Sequence, residues 1–288
     1  MWTQAELVRL MDVQPLTAGR YRAPAHGPTE RNVVEAGQLL GAAVVASAKQ
    51  VPHQRVVSAS MIFSRAAAHD AALDLTVDLL RGGRTFSSAQ VRVHQHDSLC
   101  GAAIVLLDAD PPDLIRSTAP MPEVDPPSRL RSHELPGAVV AGRDIRVVGD
   151  AYTDDAARVG PPELFVWTRF QDEPEHRYLH AALLTQSTTH WTVAAALRPH
   201  PDFTQSMAHH SLSAGITMAT ITFHDTADVT QWLLYATRVI YAGRGHAQSE
   251  GRVYTEVGGL LASYSVHAMV RGFDYPNNQG GTASRAVL

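Results

Sequence analysis

Two stretches decide how this chain is read: LRGGRTFSSAQVRVHQHDSLC at residues 80–100 and IYAGRGHAQSEGRVYTEVGGL at residues 240–260. Set 160 positions apart, they place Gly83 on Gly243, Arg84 on Arg244 and Val93 on Val253; the same offset puts Ala102 on Ala262 and Phe63 on Phe223. In each, a glycine-arginine turn opens a strand-like run. Internal repetition has to be resolved before other features, because it sets the architecture.

Working outward, the flanking elements repeat in kind and order. GQLLGAAVVASAKQV (37–51) places Leu39, Leu40, Ala43, Val44 and Ser47 at three- and four-residue steps, with Pro52 just after, and so predicts a mostly buried helix. Strand-like runs follow at 56–64, 73–81, 85–95 and 100–109, separated by turn signals at Gly82-Gly83 and Asp97-Ser98. In the second half, HRYLHAALLTQSTTHWTVAAAL (176–197) is long enough for one helix ending before Pro199, and the runs 215–223, 231–241, 247–256 and 260–270 repeat the four strands. Between the halves, residues 108–143 contain ADPPD, PMPEVDPPS and ELPG, which can be neither helix nor central strand. The expected organisation is an N-terminal unit (1–110), a proline-rich linker (111–142) and a C-terminal unit (143–288). A long helix followed by antiparallel strands suits a sheet wrapped around one buried helix. The fold class is therefore α+β, a double hot-dog.

The 288 residues, 45% of them hydrophobic, can bury a core for each unit. Lys and Arg number 24 against 28 Asp and Glu, for a net charge of −4 with the arginines dispersed, which argues against a nucleic-acid partner or a membrane surface. Cys100 is the single cysteine and lies in an apolar run, so no intrachain disulfide forms and a reducing compartment is expected. MWTQAELVRLMDVQ lacks a basic start followed by an apolar core, and no apolar run reaches the roughly 18 residues of a membrane span. The expected location is cytoplasmic.

The candidate chemistry is polar and rich in histidine. TQSTTH (185–190) interrupts an otherwise apolar helix, and buried polar groups must find partners or face a cavity. His190 within it is either a hydrogen-bonded wall residue or a base, since an unperturbed pKa of about 6.5 leaves a usable neutral fraction at pH 7. Alternation in ASYSVHAMV (262–270) puts Ser263, Ser265, His267 and Met269 on one face, looking into a pocket or into solvent. Ser213 and Thr217 stand where a strand begins and could orient water, although no GxSxG elbow marks a nucleophile. The loop HPDFTQSMAHHSLS (200–213) raises a metal site, but His209 and His210 are adjacent and no HxxxH or HExxH spacing accompanies them. No metal is expected, and the loop is expected to cover a pocket mouth. Arg244 beside Gly245 is either an ordinary hairpin turn or a phosphate contact, through exposed backbone N–H groups and the arginine fork. Neither glycine turn fits a P-loop or dinucleotide fingerprint.

Taken together, AGQLLGAAVVA, VDLLRGGRTFSSAQVRV, IRVV, FVWTRF, ALRPH, FHDTADVTQWLLY and GRVYTEVGGLLAS resemble the type II acyl-CoA thioesterases, the TesB family of double hot-dog proteins. The resemblance implies hydrolysis of fatty acyl-CoA to free acid and coenzyme A, with no cofactor beyond the coenzyme A of the substrate. It also implies a homodimer or higher homo-oligomer. That family uses an Asp on the second helix, a Ser or Thr on the following strand and a Gln on the last strand to orient water. The Asp position falls on Thr189, with His190 beside it; the hydroxyl position falls on Ile216, with Thr217 adjacent and Ser213 nearby; the Gln position falls on Val266, or on His267 with one inserted residue. None of the three matches. The expected mechanism is a histidine-assisted variant drawn from Thr189, His190, Ser213, Thr217 and His267, with Arg244 and Gly245 in the segment that contacts the coenzyme A pyrophosphate. A binding protein for acyl-CoA that has lost turnover is the alternative. An enoyl-CoA hydratase ranks last, because the Asp-containing hydratase segment is missing.

Overall fold

A computed structural model describes residues 2–24, 32–133, 140–208 and 210–272. The first half runs β1 (Trp2–Thr3), α1 (Gln4–Met11), β2 (Gln14–Thr17), β3 (Arg20–Ala23), α2 (Ala36–Gln50), β4 (Arg55–Phe63), β5 (Leu73–Arg81), β6 (Phe86–Gln95) and β7 (Ser98–Asp108). The second runs β8 (Val140–Ala141), β9 (Arg143–Val147), β10 (Glu163–Phe170), α3 (Arg177–Thr188), α4 (Thr192–Leu197), β11 (Leu212–Phe223), β12 (Leu233–Gly243), β13 (His246–Thr255) and β14 (Leu260–Gly272). The helix-then-four-strands order expected from the repeat is present in both halves.

Twelve strands form one antiparallel sheet in the order β2-β3-β5-β6-β7-β4-β11-β14-β13-β12-β10-β9. Outward from the centre, β4, β7, β6, β5, β3, β2 on one side answer β11, β14, β13, β12, β10, β9 on the other, as a duplicated unit paired edge to edge requires. At the seam β4 pairs with β11, and the hydroxyls of Ser60 and Thr220, 160 residues apart, meet at 2.7 Å. Each copy thereby covers the other's exposed edge, which would otherwise template aggregation. The sheet curls around its helices as the double hot-dog expectation requires.

α2 is buried on nearly every side, which explains its almost uniformly apolar sequence. Two glycines let α3 approach its backbone: a Cβ on Gly37 would lie 2.4 Å from the Gln186 carbonyl oxygen, and one on Gly41 2.6 Å from Met11 Sδ and 3.1 Å from the Ala182 oxygen. The second helix departs from expectation, because it is not one helix over 176–197. α3 stops at Thr188 and α4 begins at Thr192. The Thr188 hydroxyl donates to the Thr185 carbonyl at 2.7 Å and the Thr189 hydroxyl to the Gln186 carbonyl at 3.3 Å, satisfying acceptors that a continuing turn would have used. His190 and Trp191 sit in the break.

The opening α1-β2-β3 segment is an addition to the expected elements. α1 begins with a reciprocal cap in which Glu6 N donates to Thr3 Oγ1 at 3.2 Å and Thr3 N to Glu6 Oε2 at 2.8 Å.

Candidate active site

The two copies differ most in their interiors. In the first, Leu75, Val77, Ala89 and Val91 pack on the inner face of the sheet. The residues 160 later, at equivalent register, are Tyr235, Thr237, Ser249 and Gly251. Their hydroxyls are satisfied internally: Thr237 meets Tyr264 at 2.6 Å, Ser249 meets Thr192 at 2.7 Å, and Tyr235 donates to the Leu184 carbonyl at 3.2 Å. Burial pushes both Tyr235 and Tyr264 upward, so they stay protonated. A Cβ on Gly251 would lie 2.0 Å from the Tyr264 ring, so the glycine makes room for that tyrosine.

At the helix break a charged cluster joins both copies. His190 Nε2 lies 3.1 Å from Oε2 of Glu35, the residue that caps α2. The Gln186 amide donates to the same oxygen at 2.8 Å and comes within 3.0 Å of His190 Nε2, while its Oε1 accepts from Arg143 Nη1 at 3.1 Å. The Trp191 ring stands edge-on to the imidazole, with centroids 5.5 Å apart. Burial alone would raise the Glu35 carboxyl; the attraction of His190 and Arg143 and the hydrogen bonds from His190 and Gln186 outweigh it and hold the group at about 2. Burial lowers Arg143, opposed by Glu35 and Tyr235.

The expected site residues do not all converge. Thr189 and His190 lie on the helix side of the sheet. Thr189 is 7% exposed, with its hydroxyl against α2, where a Cβ on Gly37 would come within 2.7 Å of it. On β14, Ala262, Tyr264, Val266 and Ala268 face the helices, which puts His267 on the opposite face. Thr217 is the extra residue of a β-bulge on β11, and its hydroxyl lies 2.8 Å from His267 Nδ1. The His267 ring packs on His246 at 5.1 Å, and Ser213 pairs with Arg271 toward the end of the sheet. The structure thus separates Ser213, Thr217 and His267 from Thr189 and His190 by the thickness of the sheet. At the helix-facing positions Val266 is fully buried and Ile216 partly so, both apolar.

Arg244 and Gly245 form the two-residue turn between β12 and β13, both left-handed with φ of 52° and 77°. Arg244 is exposed, and a Cβ on Gly245 would lie 3.0 Å from Arg271 Nε. In the loop 200–213, His209 lies outside the described residues. A cleft of about 310 Å³ elsewhere, at the seam, is lined by Arg55, Asp110, Arg116 and Asp225, with Arg55–Asp110 at 2.8 Å and Arg116–Asp225 at 3.0 Å. It contains none of the expected site residues.

Glu35 and Arg143 were missed by sequence reasoning, although Gln186 belongs to the polar TQSTTH patch. No local signal could find them, because Glu35 lies 155 residues from His190 and Arg143 lies 43 from Gln186.

A helix-wrapped sheet built from two copies of one unit defines a double hot-dog protein. Family profiles agree: the acyl-CoA thioesterase N-terminal domain matches residues 25–107 and the acyl-CoA thioesterase C-terminal domain matches residues 116–270. The chain belongs to the acyl-CoA thioesterase family, and it is a thioester hydrolase. It is 23% identical over 290 residues to acyl-coenzyme A thioesterase 8 of Mus musculus, spanning 91% of this chain and 88% of that one. In fold it is similar to the acyl-CoA thioesterase II TesB2 of Mycobacterium marinum (TM-score 0.77, 20% identity, 93% and 99% of the two chains). A hot-dog protein of Alicyclobacillus acidocaldarius is also similar (TM-score 0.74, 16% identity, 94% and 99%).

Proposed function

We propose that this chain hydrolyses fatty acyl-CoA to free fatty acid and coenzyme A, and that the reaction takes place where α3 breaks beside α2. The observation that carries the location is the His190 cluster, the charged group in a polar interior that the first copy lacks. Thr189 lies next to it and contributes a hydroxyl, not a base. The name of the Mus musculus relative supports the substrate class.

Coenzyme A would lay its phosphates on the Arg244–Gly245 turn, with Arg271 beside it. Coenzyme A belongs to the substrate, and no metal or further cofactor takes part. Among the described residues no helix is long and apolar enough to cross a membrane. A cytoplasmic homodimer or higher homo-oligomer is the assembly we propose.

The test is thiol release from a panel of acyl-CoAs of increasing chain length. Stoichiometric free coenzyme A and acid are expected. Tight binding without thiol release would instead indicate an acyl-CoA-binding protein, and loss of enoyl-CoA absorbance without thiol a hydratase. Arg244→Ala should raise KM several-fold with little change in kcat, as loss of a contact made equally in ground and transition states does.

A further inference from the structure

We infer that Glu35 of the first copy and His190 of the second form the water-activating pair of this enzyme, with His190 Nδ1 as the base and Glu35 as the residue that positions it. The inference rests on the thioesterase reading above and replaces the three family positions that this sequence leaves as Thr189, Ile216 and Val266.

Three observations carry it. First, the carboxylate fixes the tautomer. With Oε2 3.1 Å from Nε2 and no proton of its own at neutral pH, Glu35 accepts from Nε2–H and leaves the lone pair on Nδ1. Arg143, by donating to Gln186 Oε1, turns the Gln186 NH2 toward Glu35, so that NH2 is committed to the carboxylate and Glu35 is the acceptor facing Nε2. Glu35 is then the acceptor for Nε2–H.

Second, Nδ1 is buried and has no hydrogen-bond partner in the protein, on a side chain that is 10% exposed. A buried nitrogen lone pair without a donor is costly unless a water or a ligand supplies one. The Glu35 side chain, 38% exposed, is the more solvent-accessible member of the pair. Third, the ring is held on both sides, by the Trp191 edge at 5.5 Å and by the carboxylate, in a break where the backbone is not committed to a helix. A base, an orienting carboxylate and a fixed ring are what general-base catalysis requires.

The chemistry balances. As the water oxygen bonds to the thioester carbonyl carbon, one water proton passes to Nδ1 and the carbonyl π pair moves onto the carbonyl oxygen. On collapse that pair re-forms the C=O bond, the C–S bond breaks with its electrons on sulfur, and Nδ1 returns its proton to the coenzyme A thiolate. The products are the carboxylic acid and the thiol.

The charged and titratable groups facing His190 are Glu35 from the start of α2, Arg143 from β9 acting through Gln186, and Tyr235 from β12 beside Arg143. Only Glu35 is anionic at neutral pH. The test follows the pH dependence of kcat/KM for thiol release by the full chain. Wild type is expected to show one ascending limb. Glu35→Gln should lower kcat about tenfold or more at unchanged KM and move that limb to lower pH, because the imidazolium loses its anionic neighbour. His190→Ala should fall on the order of a hundredfold or more and recover part of its rate when imidazole is added. Nitrogen NMR of His190 should place the proton on Nε2 in wild type.

If wild type hydrolyses acyl-CoA while Glu35→Gln keeps its kcat and its limb, the pair is overturned and the thioesterase reading stands. If wild type releases no thiol from any acyl-CoA, both fall. Should Glu35→Gln fail to fold, absence of imidazole rescue in His190→Ala overturns the pair, since that variant leaves Glu35 intact.

Discussion

Glu35 performs two tasks, its backbone capping a helix in the first copy and its carboxylate holding a histidine in the second. Its carboxyl sits at about 2 when folded against an ordinary 4.5, so it contributes stability above pH 4.5 that is lost as pH falls from there toward 2. The difference in Tm between wild type and Glu35→Gln should shrink as pH falls from about 5 toward 2. A difference independent of pH in a thermal-melt series would contradict the assigned charge. The Thr192–Ser249 hydroxyl pair makes a second residue-scale prediction. Thr192→Val or Ser249→Ala should each cost about 1–3 kcal/mol by stranding the partner, while the double substitution costs less than the sum. Denaturant titration of the four proteins measures this. At this scale the sequence was partly legible. Polar TQSTTH in an apolar helix pointed to internal partners or a cavity: the hydroxyls of Thr185, Ser187, Thr188 and Thr189 turn back on carbonyls of their own helix, whereas Gln186 and His190 meet Glu35 at the start of α2 and Gln186 meets Arg143 on β9, whose positions only the fold supplies.

Among elements, the α2–α3 crossing depends on the absence of one carbon. Ala at position 37 would be a better helix former than Gly by about 1 kcal/mol, yet its Cβ meets a backbone oxygen that cannot rotate away. Gly37→Ala is therefore expected to destabilise by about 1–3 kcal/mol, the range of overpacking, and to weaken catalysis by moving α3 away from Glu35. Gly41→Ala should be milder, since its nearest neighbour is the flexible end of Met11. Chemical denaturation of both variants separates crowding from propensity. The strands were legible from alternation and turn signals, because each buries one face. The helix break was not, because 176–197 is apolar enough for one helix and nothing in its residue pattern marks a stop after Thr188.

Across the whole molecule, duplication has been used asymmetrically. The first copy keeps an apolar interior and gives the second an edge to pair with, a helix to lean on and one carboxylate. Such sharing predicts that the halves unfold together: calorimetry should show one transition, with the β4–β11 seam and the α2–α3 crossing lost at once. Two separated transitions would mean that the seam is weak. The 160-residue repeat, with a helix and then four strands in each half, made this architecture readable from the sequence. It could not say on which side of the sheet each histidine stands, since that depends on strand phase near a bulge at Thr217 and on a helix that stops early. The measurement that bears most directly on the central claim is the structure of the full chain with a non-hydrolysable ketone analogue of acyl-CoA, in which a methylene replaces the thioester sulfur and the carbonyl is kept. The carbonyl carbon, or a water poised against it, is expected within about 3.5 Å of His190 Nδ1, with Glu35 still on Nε2. A carbonyl seated instead on the opposite face of the sheet, beside Thr217 and His267, would contradict the account.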